Sequence, residues 1–169
     1  EVDSRGNPRV AYAFDHSPDG HVAKFVGNND NVYFNYSEDG GSTWLPGNSA
    51  VTVNDEVTAG NTQGRSSAFP RMAIDQRDNV FITYVRGNSQ GTGADDVMLA
   101  RVNRGTSPFS MEKVGSLGTA GSAGGVRLGV EADRQTGPDI AIGSGDVLHV
   151  VYFNDTDNNI EHKTLLADS

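Results

Sequence analysis

The chain has 169 residues and a formal net charge of −9, long enough for one domain with its own core and too acidic for non-specific attachment to nucleic acid or an anionic membrane. It contains no cysteine, which excludes a disulfide framework, a thiolate zinc site and a cysteine nucleophile. No apolar run approaches the roughly 18 residues of a membrane span.

Twenty-one glycines and many Asn, Asp, Ser and Thr residues point to short strands joined by tight turns. In chain order, three segments start alike: "NPRVAYAFD" (7–15), "FPRMAID" (69–75) and "GPDIAIG" (137–143). Each places a proline before alternating apolar positions, and Pro8, Pro70 and Pro138 are spaced by 62 and 68 residues. Second strands follow at "HVAKFV" (21–26), "NVFITYV" (79–85) and "VLHVVYF" (147–153), and third strands at "NVYFNY", "DDVMLARV" and "NNIEHKT", beginning at Asn31, Asp95 and Asn158. Short fourth strands are expected at "AVTV" (50–53) and "MEKVGS" (111–116), with an extra strand at "VRLGVEAD" (126–133). No segment holds a 3.6-residue apolar period over three turns, so almost no helix is expected.

A recurrence at this period predicts an all-β fold, a β-propeller of four-stranded antiparallel blades, with about three blades in this chain. The repeats fall at about 7–56, 68–118 and 126–169, within a single partial domain spanning 1–169. A β-sandwich is the competing all-β architecture, but its strands need not recur at a fixed period. Three blades do not close a ring. The chain is therefore expected to be part of a longer polypeptide, or to close a ring with a second copy.

Between the third and fourth strands of the first repeat lies "SEDGGSTW". Ser37, Asp39, Gly41, Thr43 and Trp44 fill the pattern Ser-x-Asp-x-Gly-x-Thr-Trp, which resembles the Asp box, or bacterial neuraminidase (BNR) repeat, of sialidase-like propellers. Its physical reading is a folded turn. Asp39 accepts hydrogen bonds from turn amides, Gly40 and Gly41 permit positive φ, and the Trp44 indole covers the hairpin and adjoining sheet. The second and third repeats lack the box.

The resemblance implies a six-bladed ring, a secreted or cell-surface and bacterial location, and a ligand face where innermost strands begin. On that face it sorts out Arg9, Arg71, Tyr84, Arg86, Asn154 and Asp155 as ligand-binding candidates, with Arg9, Arg71 and Asp139 in equivalent places after the repeat prolines. A sialidase needs an arginine cluster for a carboxylate, a tyrosine nucleophile with a glutamate partner, and an aspartic acid-base group. The family's first arginine belongs to a Phe/Tyr-Arg-Ile-Pro motif, whereas "FPRMA" puts the proline first, and no glutamate stands near Tyr84 in sequence. The catalytic set is therefore unassigned. The resulting expectation is a module that binds glycan or another surface partner without catalysis. The alternatives are a segment of an exo-sialidase or related glycoside hydrolase, and a structural propeller in a larger assembly. No metal or cofactor is expected. "NDTDNN" (154–159) offers hard oxygen ligands of the kind calcium takes but lacks the glycine and closing glutamate of an EF-hand loop, and the four histidines show no zinc spacing.

Overall fold

A computed structural model describes residues 1–14, 31–47, 50–53, 67–86, 95–103, 110–116, 126–128, 137–154 and 159–167. Among these the fold is all-β, with eleven strands and no helix: β1 (Arg9–Phe14), β2 (Asn31–Tyr36), β3 (Val51–Thr52), β4 (Ser67–Ile74), β5 (Val80–Arg86), β6 (Asp95–Asn103), β7 (Ser110–Ser116), β8 (Val126–Leu128), β9 (Asp139–Ile142), β10 (Val147–Asn154) and β11 (Asn159–Leu166). They form three antiparallel sheets. The first has the order β1-β2-β3 and the third β11-β10-β9; the middle sheet runs β4-β5-β6-β7, with β8 added to β6. The three sheets do not close into a ring.

The middle sheet is covered on both faces, and its sequence says why. "VFITYVR" in β5 is almost continuously apolar and every residue of it is buried, the pattern of a strand with no solvent side. Val80, Ile82, Tyr84, Met98, Ala100 and Val102 pack against Val32, Phe34 and Tyr36 of the first sheet. On the other side Phe81, Val85, Val97 and Leu99 pack against Ile140, Leu148, Val150 and Tyr152 of the third. Burying one such side chain contributes about 1.5–3 kcal/mol, so the two layers hold the three sheets as one stack. β4 sits beside both β1 and β9.

Three turns establish how the units correspond. Asp3 N–H donates to the Asn7 carbonyl (3.0 Å), Asp75 to that of Asn79 (3.0 Å) and Gly143 to that of Val147 (2.8 Å). In each turn the fourth residue is left-handed: Gly6 (φ 80°), Asp78 (φ 64°) and Asp146 (φ 56°), a region where glycine and aspartate are the tolerated types. The flanking pairs agree, with Val2 opposite Pro8, Ile74 opposite Val80 and Ile142 opposite Leu148. Thus β1 corresponds to β5 and β10, the second strands, and not to the inner strands β4 and β9.

This corrects the first repeat. "NPRVAYAFD" is not an inner strand, and Arg9 is the counterpart of Phe81 rather than of Arg71 and Asp139. The segment "HVAKFV" lies outside the described residues. The third-strand readings hold, as β2, β6 and β11, and "AVTV" and "MEKVGS" supply β3 and β7. The described sheets contain three, five and three strands, so uniform four-stranded blades are not seen among the described residues.

Candidate functional site

The "SEDGGSTW" turn is built as the sequence suggests. Asp39 Oδ1 accepts from the Thr43 amide (2.8 Å) and Oδ2 from the Thr43 hydroxyl (2.7 Å), while the Ser37 hydroxyl donates to Oδ1 (2.8 Å) and accepts from the Gly41 amide (2.8 Å). Gly40 and Gly41 take φ of 70° and 98°. Trp44 departs from the expectation. It is 40 % exposed, and the residue that returns to the sheet is Leu45, paired with Tyr36 through N–H···O bonds of 2.7 and 3.1 Å.

The Thr43 amide and hydroxyl, then the Ser37 hydroxyl, hold the Asp39 carboxyl down from its ordinary 3.8 to about 2. The sign follows from linkage: a depressed carboxyl stabilises the folded turn fully above 3.8, and that contribution fades as pH falls towards 2. An NMR titration of the Asp39 side chain is expected to show a midpoint near 2; a midpoint at or above the ordinary value would mean that the network does not form.

Beneath this turn lies a buried ion pair. The Arg9 guanidinium, 3 % exposed, donates to Asp3 Oδ2 (2.6 Å) and to the Ser37 carbonyl, and its carbon lies 5.4 Å from the centre of the Tyr36 ring. Burial pushes the Asp3 carboxyl up, but the amide and side chain of Asn7, the Arg5 amide and the Arg9 charge outweigh it, and the net shift is downward. Asn7 also accepts from the Gly40 amide (3.0 Å). Arg9 therefore ties the first turn to the Asp39 turn, and both ends of its fork are spent inside the protein.

Arg71 is different. It is exposed, and its Nη1 donates to the carbonyl of Pro70 (3.1 Å). Both arginines line one open groove of about 300 Å³, between residues 9–11 of β1 and 70–72 of β4 with Glu1 at its side.

Three tyrosines occupy the same place in the three second strands: Tyr12, Tyr84 and Tyr152. Tyr12 is exposed and donates to Asn35 Oδ1 (3.0 Å), whereas Tyr84 and Tyr152 are 1 % and 3 % exposed between the sheets. The tyrosine–glutamate pair that a sialidase requires does occur, at Tyr152 and Glu161, cross-strand partners with the phenol donating to Oε2. Sequence reading looked around Tyr84 and missed it, because Glu161 reaches Tyr152 only through strand pairing. Burial, then the hydrogen bond to Glu161 and its charge, push the Tyr152 phenol well above the usual range. Lys163 caps the same carboxylate (3.2 Å).

Of the remaining candidates, Arg86 lies at one rim of the middle sheet. β4 begins at Ser67 and β5 ends at Arg86, and the two are register partners. Ser67 is fully buried, and its hydroxyl has no hydrogen-bond partner among the described residues; Arg86 is 8 % exposed. Two residues on, Phe69 adopts φ 54° where the register shifts between Ala68 and Arg71. A Cβ added to Gly137 would lie 2.5 Å from that of Phe69, so only glycine fits there. A bulky residue in left-handed conformation costs of order 1–3 kcal/mol, and such strain concentrates at functional places. Asn154 ends β10 as Arg86 ends β5. Asp155 lies outside the described residues, as do residues 155–158 of the calcium candidate. Among the described residues no three His, Asp or Glu side chains converge to hold a metal, and no helix is long and apolar enough to cross a membrane.

No family model matches the chain, and no curated protein matches it. Among solved structures it is similar to a protein of unknown function from Dyadobacter fermentans, with a TM-score of 0.57 and 14 % identity. The match covers 99 % of this chain and 36 % of that one, so the chain spans about a third of its neighbour's length. At this identity the likeness concerns the fold alone.

Proposed function

We propose that the protein is a secreted or cell-surface module of the Asp-box, sialidase-like kind, three units of a six-bladed β-propeller, and that it binds an acidic glycan without cleaving it. The binding surface is the rim where β4 begins and β5 ends, with Arg86 and Ser67 at its centre; Asn154 is the residue of β10 equivalent to Arg86. The observation that carries this reading is the buried Ser67 hydroxyl, without a hydrogen-bond partner among the described residues, on the register partner of Arg86 and next to the strained Phe69 backbone. An unspent polar group of this kind is costly unless it serves a ligand, and an arginine fork suits a sugar carboxylate. The hydrogen-bonded Asp39 turn supports the family likeness.

A glycan array probed with the intact protein tests this. Retention of uronic- or sialic-acid glycans is expected, weakened at least about tenfold in Arg86→Gln, since losing a charge-assisted bond removes about 1.5–3 kcal/mol. Far-ultraviolet circular dichroism of the variant checks that the sheet persists. No retained glycan, or equal retention by a folded Arg86→Gln variant, would overturn the assignment.

A further inference from the structure

The third sheet carries two imidazoles side by side. Leu148, Val150 and Tyr152 of β10 point into the core, so by strand alternation His149 lies on the opposite face. The register sets His149 opposite Thr164 and Val151 opposite His162. His149 and His162 are therefore diagonal neighbours on adjacent strands and on one face. Nδ1 of His149 lies 3.0 Å from Nε2 of His162. The ring planes are within 6° of each other and the ring centres are 5.2 Å apart. Centres so much farther apart than the two nitrogens mean that the rings meet edge to edge, nitrogen to nitrogen, and not face to face.

Packing does not account for this pair. By the correspondence of β10 with β5 and of β11 with β6, His149 and His162 take the places of Phe81 and Leu99. Those two are buried in the core, whereas His162 is exposed and His149 half-buried. Gly143 adds a second observation. A Cβ there would lie 2.8 Å from His149 Nε2, so the imidazole rests on bare backbone. The corresponding turns carry Asp3 and Asp75 at this position. The glycine thus seats the ring with Nδ1 towards His162.

We propose that His149 and His162 form a two-imidazole chelate for a divalent transition-metal cation, with copper(II) as the best fit. Imidazole suits copper, nickel and zinc, and copper(II) binds tightest of these to a given nitrogen site. The spacing narrows the choice. With metal–nitrogen bonds of roughly 2.0–2.1 Å, two nitrogens at right angles stand about 2.9 Å apart, and two on a tetrahedral ion about 3.3 Å. The 3.0 Å between these nitrogens matches the first, the tetragonal geometry of copper(II) and nickel(II).

In the neutral pair the facing nitrogens share one N–H proton. On binding, that proton moves through water to the far nitrogen of its own ring. Each ring turns about its Cβ–Cγ bond, and both lone pairs converge on the ion. Water completes the coordination, since no third His, Asp or Glu converges here among the described residues. Asp139 is register partner to Val151, which in turn faces His162, and it is the only charged residue on this face of β9, β10 and β11. Its sign favours a cation. The inference is independent of the glycan reading.

Titrating the untagged protein with copper(II), followed by calorimetry and electron paramagnetic resonance, tests this. An axial copper(II) spectrum split by two imidazole nitrogens is expected. His149→Gln and His162→Gln should each weaken binding about a hundredfold, because the second ligand of a chelate acts at high effective concentration. Gly143→Ala keeps both ligands but displaces the His149 ring, and should weaken binding at least about tenfold. His16→Gln combined with His21→Gln removes the other two histidines and should change nothing. Circular dichroism checks that each variant keeps its sheets. A spectrum with one coupled nitrogen or none overturns the proposal whatever the variants do. So does unchanged affinity in any of the first three variants, or lost binding in the His16 and His21 variant.

Discussion

Arg9→Met is expected to lower the free energy of unfolding by about 3 kcal/mol, the cost of leaving a buried charge without its partner. The Asp3 side chain is wholly inaccessible in this pair, and the guanidinium carries the Ser37 carbonyl as well, so removing it exposes two acceptors at once. Arg71→Met, at an exposed position in the same groove, should stay within about 0.5 kcal/mol. Denaturant titration of both variants measures the contrast. A double-mutant cycle with Asp3→Asn should return a coupling of at least about 1 kcal/mol. Equal, small effects at both arginines would mean that Arg9 is a surface residue after all and would reopen it as a ligand contact.

The second large effect is at Tyr84. Tyr84→Ala should cost about 3–5 kcal/mol, as expected for deleting a fully buried aromatic, while Tyr84→Phe should cost about 1 kcal/mol, the scale of one hydrogen bond. Tyr12→Ala, at the corresponding but 38 % exposed place in β1, should cost less than half as much as Tyr84→Ala. The same comparison tests function. If Tyr84 belongs to the core between the first and middle sheets, Tyr84→Phe retains glycans as the parent does; a variant that folds but loses them would return the phenol to the binding surface.

Local features were the most legible from the sequence. The Asp39 turn needs only eight consecutive residues, and its hydrogen bonds are made within them. The apolar positions of "NVYFNY" and "DDVMLARV" identify equivalent strands because each borders a layer of the core, whereas "NNIEHKT" holds no buried residue and is recognised by its spacing. The first unit was misaligned because Pro8 stands before a second strand, whereas Pro70 and Pro138 stand in or before inner strands. The better guide is the pair Asp3 and Asn7, matched by Asp75 and Asn79, whose carboxylates close the same turn on the amide four residues on, each at 2.8 Å. Gly143 and Val147 obscure it in the third unit by making the backbone bond without the side chains. Trp44 misled in another way: composition marks an indole as a cover, yet the neighbouring Leu45 takes the paired position.

The rim was legible only in part. Arg86 and Asn154 stand out as polar ends of apolar runs. Ser67 does not, because nothing in "GRSSAFP" says that its hydroxyl will be buried opposite Arg86. The strain at Phe69 and its contact with Gly137 arise from strands that meet across sheets, and no single segment encodes them.

Incubating the intact protein with a sialic-acid-terminated oligosaccharide, and following bound glycan and released sugar together, tests the functional reading most directly. Saturable binding with no released sugar is the expected result. Release of free sialic acid would contradict it.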